Sequence, residues 1–159
     1  MNIRYFQESD FKEAKEIFAL YWTDPEFLKE LSEKLNIFLD KTDGGTDEQY
    51  NFSVAVENTE VVGIAGFRSA PSYLRLYTKT NNPAEMYVIA VKYKGRGIGT
   101  ELRLKRIEEA KKLGFTEAVL YSPNSHSESW NFHDTLDFER VGEVIAPDGQ
   151  PGQVWRKAL

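Results

Sequence analysis

Apolar residues in the first forty positions recur at helical spacing. Phe11, Ala14, Ile17, Phe18 and Tyr21 share one helical face, and Ser9 or Asp10 stands where a side chain can cap the first turn. Ile3–Phe6 ahead of them is a short strand-like run. Asp24-Pro25 opens a second helix predicted over Pro25–Leu39, with Phe27, Leu28, Leu31, Leu35 and Phe38 on one side. The glycine- and aspartate-containing run Lys41–Asp47 then breaks any helix.

Beyond that break the pattern changes to strands. Asn51–Glu57 and Glu60–Arg68 are β-branched runs separated by Asn58-Thr59, which predicts a hairpin. Residues 70–83 are expected to form an irregular connection. Glu85–Val91 is almost continuously apolar after its first residue, as in the middle of a sheet. A glycine-rich turn, Lys94–Gly99, leads into a helix predicted over Thr100–Leu113, and Gly114 can end it in a left-handed conformation. Thr116–Tyr121 is predicted as a strand, Ser127–Leu136 as a helix, and Phe138–Ile145 and Val154–Ala158 as the last strands. The order β-α-α-β-β-β-α-β-α-β-β predicts a mixed α/β (α+β) fold, a mostly antiparallel central sheet flanked by helices.

The chain has 159 residues, enough for one sizeable core, so a single domain over 1–159 is expected. Its net charge of -5 is spread along the chain; nucleic acid is not expected as a partner, because phosphate neutralisation needs a basic face. The absence of cysteine excludes disulfides, thiolate catalysis and cysteine-bound zinc, and two histidines are too few for most metal sites, so no metal is expected. No window reaches membrane-spanning length and no signal segment opens the chain, which points to a cytoplasmic protein without membrane attachment.

Chemistry concentrates at Lys94-Gly95-Arg96-Gly97-Ile98-Gly99-Thr100, between a buried strand and a helix N-terminus. Removing side chains there lets backbone N–H groups converge on an anion that the helix dipole also favours. Each charge-assisted hydrogen bond contributes roughly 1.5–3 kcal/mol, so three or four can hold a pyrophosphate. The bland alternative is that the glycines only permit a tight bend. The spacing fits neither a Walker A loop nor the Gly-x-Gly-x-x-Gly dinucleotide fingerprint.

Glu85–Val91 followed by Lys94–Gly99 resembles the acyl-CoA-binding motif of the GNAT superfamily, Gln/Arg-x-x-Gly-x-Gly/Ala. Lys94 stands at the Gln/Arg position, and Gly97 and Gly99 at the two small positions. Trp130–Glu139 resembles the family's second signature, with Asp137 in place of the usual glycine; Asp tolerates a left-handed turn. The resemblance covers nearly the whole chain. It implies a GNAT-like fold, acetyl-CoA as acyl donor, and transfer to a primary amine of a small molecule or peptide. It further implies that the backbone of Ile89, Ala90 and Val91 pairs with the pantetheine arm, that Lys94 and Arg96 through Thr100, with Gly97, Ile98 and Gly99, wrap the pyrophosphate, and that Ser127 and His133 also touch the cofactor. Relatives dimerise through their terminal strands, which makes Gln153–Trp155 a candidate for a homodimer contact.

An alkyl amine is neutral about once in 2,500 molecules at pH 7, a handicap of roughly 4.6 kcal/mol that a general base relieves. Glu85 opens the central strand where the family often carries such a carboxylate; the alternative is a solvated strand-end acid. His133 stands where many relatives carry the tyrosine that protonates the leaving thiolate. The alternative is a histidine that only packs. Tyr73, Tyr77, Tyr87, Tyr121 and Trp130 either line the acceptor pocket or fill the core. The resemblance places substrate selectivity at residues 22–50 and 69–84, where Glu26, Glu30, Glu33, Asp40, Asp43, Asp47 and Glu48 suit a cationic amine or simply form a solvated face. The rival readings are a non-catalytic acyl-CoA-binding domain of the same fold and, less compatible with the element order, a Rossmann-type nucleotide enzyme.

Overall fold

A computed structural model describes residues 1–40 and 50–159. The hairpin at Asn58-Thr59 forms as the sequence predicts: both residues take positive φ, 47° and 67°, and return β3 (Glu60–Ser69) against β2 (Tyr50–Glu57). Around them run β1 (Asn2–Tyr5), α1 (Phe11–Ala19) and α2 (Pro25–Asp40), then α3 (Ser72–Arg75), β4 (Pro83–Val91), α4 (Ile98–Lys112), β5 (Glu117–Pro123), α5 (Trp130–His133), β6 (Glu139–Ile145) and β7 (Pro151–Ala158). The seven strands of the described residues make one mixed, mostly antiparallel sheet in the order β1-β2-β3-β4-β5-β7-β6. β4 and β5 pair in parallel over Pro83–Glu85, the geometry that requires a crossover such as α4. The break read over Lys41–Asp47 lies outside the described residues. No helix among the described residues is long and apolar enough to cross a membrane.

Two compact units divide the chain, Met1–Arg68 with Val88–Glu108, and Ser69–Tyr87 with Glu109–Leu159. In the first, the apolar faces of α1 and α2 supply Ala14, Ile17, Phe18, Leu31 and Leu35 to a core completed by Phe52, Val54 and Ile64. Asp10 precedes α1 as expected, but its side chain does not cap that helix. It accepts the Gln7 N–H at 2.8 Å and both amino groups of Arg4 at 2.7 and 2.9 Å, closing the short 3₁₀ turn Glu8–Asp10 instead.

The start of α4 lies close over β3. A Cβ at Gly63 would stand 2.7 Å from Leu102 Cδ1 and 3.1 Å from Ile98 Cγ2, so only glycine permits this approach. Ile98 and Leu102 are thereby buried with Ala55, Val62 and Ala65, worth about 2 kcal/mol per large side chain.

In the second unit β7 lies between β5 and β6, with Trp155 fully buried. Gln153–Trp155 therefore offers no free edge, and the outer strand is β6. The last two strands begin and end close to the predicted bounds, except that β7 starts earlier, at Pro151.

The helix predicted over Ser127–Leu136 is a 3₁₀ segment, Asn124–Ser129, followed by the single turn α5. Ser129 and Thr135 hydroxyls bond back to the carbonyls of His126 and Phe132, and Leu136 and Asp137 turn left-handed at φ 57° and 64°. Local side-chain bonds of this kind compete with helix propagation. Asp137 does stand in the left-handed position that the glycine replacement required.

Glu117 anchors the connection after α3. Its carboxylate is 1% exposed and accepts the Lys79 N–H at 2.8 Å, the Thr80 N–H at 2.5 Å, the Thr80 hydroxyl at 2.7 Å and Arg156 Nη1 at 3.2 Å. Burial pushes its acidity down, but the bonds from Thr80, Lys79 and Arg156 outweigh this and hold the carboxyl below its ordinary value. The stabilisation is therefore complete above the unfolded value of about 4.3 and is lost as pH falls through the lower folded value. Glu117→Gln is expected to cost about 2 kcal/mol at pH 7 and to flatten the acid limb of stability below about pH 5, both read by urea unfolding at stepped pH.

Candidate functional site

Between the last residue of β4 and the first of α4 the chain has six residues, 92–97, and the start of this turn is fixed. The Tyr21 hydroxyl donates to the Val91 carbonyl at 2.9 Å, and the Lys92 N–H donates to the Val62 carbonyl at 2.8 Å. Gly95 and Gly97 have φ of 76° and 79°, and a Cβ at either would meet nothing within 4 Å. Backbone conformation, not crowding, requires glycine there. The first helical bond runs from the Glu101 N–H to the Gly97 carbonyl, so the N–H groups of Ile98, Gly99 and Thr100 have no acceptor within the helix. They sit at the positive end of a helix of 15 residues.

The turn itself carries three cations, Lys92, Lys94 and Arg96. Lys94 Nζ lies 5.3 Å from the Tyr21 ring centre, and the Arg96 guanidinium lies 4.7 Å above the Tyr93 ring and 3.4 Å from Glu57. Lys92 bonds Glu60, which also accepts the Tyr93 hydroxyl at 2.9 Å. The Lys92 bond first, then the Tyr93 bond, holds the Glu60 carboxyl below its ordinary value. Such exposed pairs are individually weak and exchangeable. Behind the turn Ala90 is buried, and Ile89 and Val91 pack half-buried on the cluster around Ile98 and Leu102. The structure thus brings Ile89–Val91 and Lys94–Thr100 together within one unit.

Glu85, Ser127 and His133 lie in the other unit. Glu85 is 4% exposed and stands opposite Val119 in the β4–β5 register, so it is not the solvated strand-end acid of the alternative reading. His133 ends α5, with its ring centre 5.0 Å from that of Trp155 and its Nε2 3.3 Å from Ser129 Oγ. Ser127 is exposed. Beside His133, Asp134 accepts the Trp155 indole N–H at 2.8 Å and pairs with Arg140 at 3.0 Å; the Trp155 bond first, then Arg140, keeps its carboxyl below the ordinary value.

Tyr121 packs edge-on to Tyr73 and donates to the Gln150 carbonyl at 2.7 Å. Burial, then the charge of Asp148, pushes its phenol up to about 12. A cavity of about 320 Å³ is lined by Asn124, Glu143 and Gln153 together with apolar residues of β6 and β7. Glu26, Glu30, Glu33 and Asp40 are exposed on α2, whereas Asp43, Asp47 and Glu48 lie outside the described residues. Among the described residues no group of three or more His, Asp or Glu is placed to hold a metal.

Two residues near these sites escaped the sequence reading. Ser129 touches His133 at i,i+4 spacing, and Arg106 falls at i+4 from Leu102 on the buried stripe of α4. Helical spacing carried both signals.

The pattern of the Acetyltransferase (GNAT) family matches residues 11–138. A GNAT-family protein from Desulfovibrio desulfuricans superposes with a TM-score of 0.81 at 16% identity, covering 99% of this chain and 98% of that one. The ribosomal-protein-alanine N-acetyltransferase from Brucella melitensis gives 0.71 at 20% identity over 100% of both chains. The PaiA N-acetyltransferase from Thermoplasma acidophilum in complex with coenzyme A gives 0.67 at 18% identity, covering 99% of this chain and 98% of that one. At these identities the likeness is one of fold. No curated protein sequence matches the chain significantly.

Because Gly95 and Gly97 are held left-handed without crowding, Gly95→Ala and Gly97→Ala are each expected to lose about 1–2 kcal/mol of stability, measured by urea unfolding. A loss well above that would mean that the turn is packed from a side the geometry leaves open.

Proposed function

Because this chain belongs to the GNAT acetyltransferase family, we propose that it binds acetyl-CoA at Lys94–Thr100 and transfers the acetyl group to a primary amine of a small molecule or peptide. The observation that carries this reading is the strand-to-helix turn, fixed at its start, with two left-handed glycines, N–H groups at a helix N-terminus and three cations of its own. These groups fit a diphosphate in charge, in donor count and in the open space beside Gly95 and Gly97. Acetyl-CoA supplies the activated thioester. Lys94, Arg96 and the N–H groups of Gly97 to Thr100 would hold its pyrophosphate, and the backbone of Ile89–Val91 its pantetheine arm. Ser127 is a further candidate contact.

Direct transfer in a ternary complex is the preferred route, since the chain has no cysteine thiol to carry the acetyl group. Glu85, buried and acidic, takes the proton that the attacking amine must lose, and His133 returns one to the departing sulfur. The carboxylates exposed on α2 and the Glu143 carboxylate beside the amides of Asn124 and Gln153 suit a cationic acceptor.

Calorimetric titration with acetyl-CoA and with CoA tests the site: micromolar binding is expected for the wild type and loss of binding for Gly97→Glu. Thiol release with a panel of amines tests turnover, and released CoA is the only thiol in the assay. Glu85→Gln and His133→Ala are each expected to lower kcat by about 10²-fold at unchanged acetyl-CoA affinity. Binding without thiol release for any amine would make this an acyl-CoA-binding domain, and no binding by the wild type would overturn the reading.

A further inference from the structure

Arg106 is a charged side chain on the buried stripe of α4, 5% exposed. Its Nη1 donates to the Val88 carbonyl at 2.8 Å and to the Gly66 carbonyl at 3.2 Å. One acceptor lies on β4 and the other on β3, so the guanidinium ties together the backbones of two strands from the helix that crosses them. Removing a guanidinium from water is costly, and the cost is offset only where the donors meet well-placed acceptors. Gly66 also leaves no freedom on its other side: a Cβ there would stand 2.5 Å from the Phe52 ring.

Val88 immediately precedes Ile89, Ala90 and Val91, and the far end of that stretch is pinned by Tyr21 at the Val91 carbonyl. The three residues that the proposed function assigns to the pantetheine arm are thus clamped at both ends by side chains. The N-terminal clamp is Arg106. Nothing in the diphosphate-binding turn depends on it directly, because the turn is fixed by Lys92, Ile98 and its own glycines.

We propose that Arg106 is a positioning residue for the acyl-carrier arm: by bridging the Gly66 and Val88 carbonyls it holds the backbone of Ile89–Val91 in the conformation that receives pantetheine. This rests on the acetyl-CoA reading of the site, and the test separates the two. The wild type, Arg106→Met and Arg106→Lys are titrated calorimetrically with CoA and with 3′-phospho-ADP, the CoA fragment that lacks the pantetheine arm.

Arg106→Met removes both carbonyl bonds at similar volume. It is expected to weaken CoA by about tenfold or more while 3′-phospho-ADP stays within about twofold. Arg106→Lys, whose ammonium can reach both carbonyls, is expected to recover most of the CoA affinity. Should the methionine variant not fold, Arg106→Gln, too short to span both acceptors, carries the same expectation of selective loss. An equal loss of both ligands marks a merely structural role and overturns the proposal, as does unchanged CoA binding. A wild type that binds neither ligand overturns the acetyl-CoA reading itself.

Discussion

The geometry of the loop depends on how closely α4 can lie on β3. With Leu102 and Ile98 directly over Gly63, the helix begins only six residues after β4 ends, and the chain must reverse within that span. Gly95 and Gly97 accomplish the reversal in left-handed conformations. A bulkier residue at position 63 would lift the start of α4 by the depth of a side chain. The N–H groups of Ile98 to Thr100 would then be displaced from the turn. Close packing in the core therefore fixes the shape of a surface feature, and the burial of Ile98 and Leu102 supplies the free energy that keeps it.

Buried polar groups perform a related function in each unit. Arg106 and Glu117 bond chiefly to backbone atoms, Arg106 to the carbonyls of Gly66 in β3 and Val88 in β4, Glu117 to the N–H groups of Lys79 and Thr80 in the connection after α3. Hydrophobic contacts tolerate small sliding movements, whereas a guanidinium across two carbonyls or a carboxylate across two N–H groups tolerates far less. Arg103, one helical turn before Arg106, shows the cost of such placements: burial alone lowers the basicity of its guanidinium to about 10.

Helical and alternating periodicity made most of the fold legible, because α1, α2, β2, β3 and β4 each bury one face or both. The turn at Lys94–Gly99 was legible for a different reason: glycine at alternate positions between an apolar strand and a helix has few uses other than a special backbone. Ser127–Leu136 misled because its apolar spacing resembles a helix while its serines, Thr135 and Asp137 bond or turn locally. Composition could not reveal this, since the competing bonds depend on where each hydroxyl points. Arg106 and Glu117 were missed because charged residues default to the surface, and only the burial of their neighbours shows that these two are inside.

The electrostatics of the turn also follow from placement. The whole chain carries a net charge of -5, yet Lys92, Lys94 and Arg96 cluster within five residues at a helix N-terminus. A local positive field on an acidic body attracts an anion to that place and discourages it elsewhere. Glu57 and Glu60 temper the field without cancelling it, since both pairs are exposed and the Arg96 contact is long, at 3.4 Å. A diphosphate can replace Glu57 at Arg96 at small expense, because it brings two charges and several acceptors where the carboxylate brings one charge. Salt is therefore expected to weaken binding of the proposed diphosphate at this turn more than it weakens the fold beneath it, where the pairs are buried or the contacts apolar.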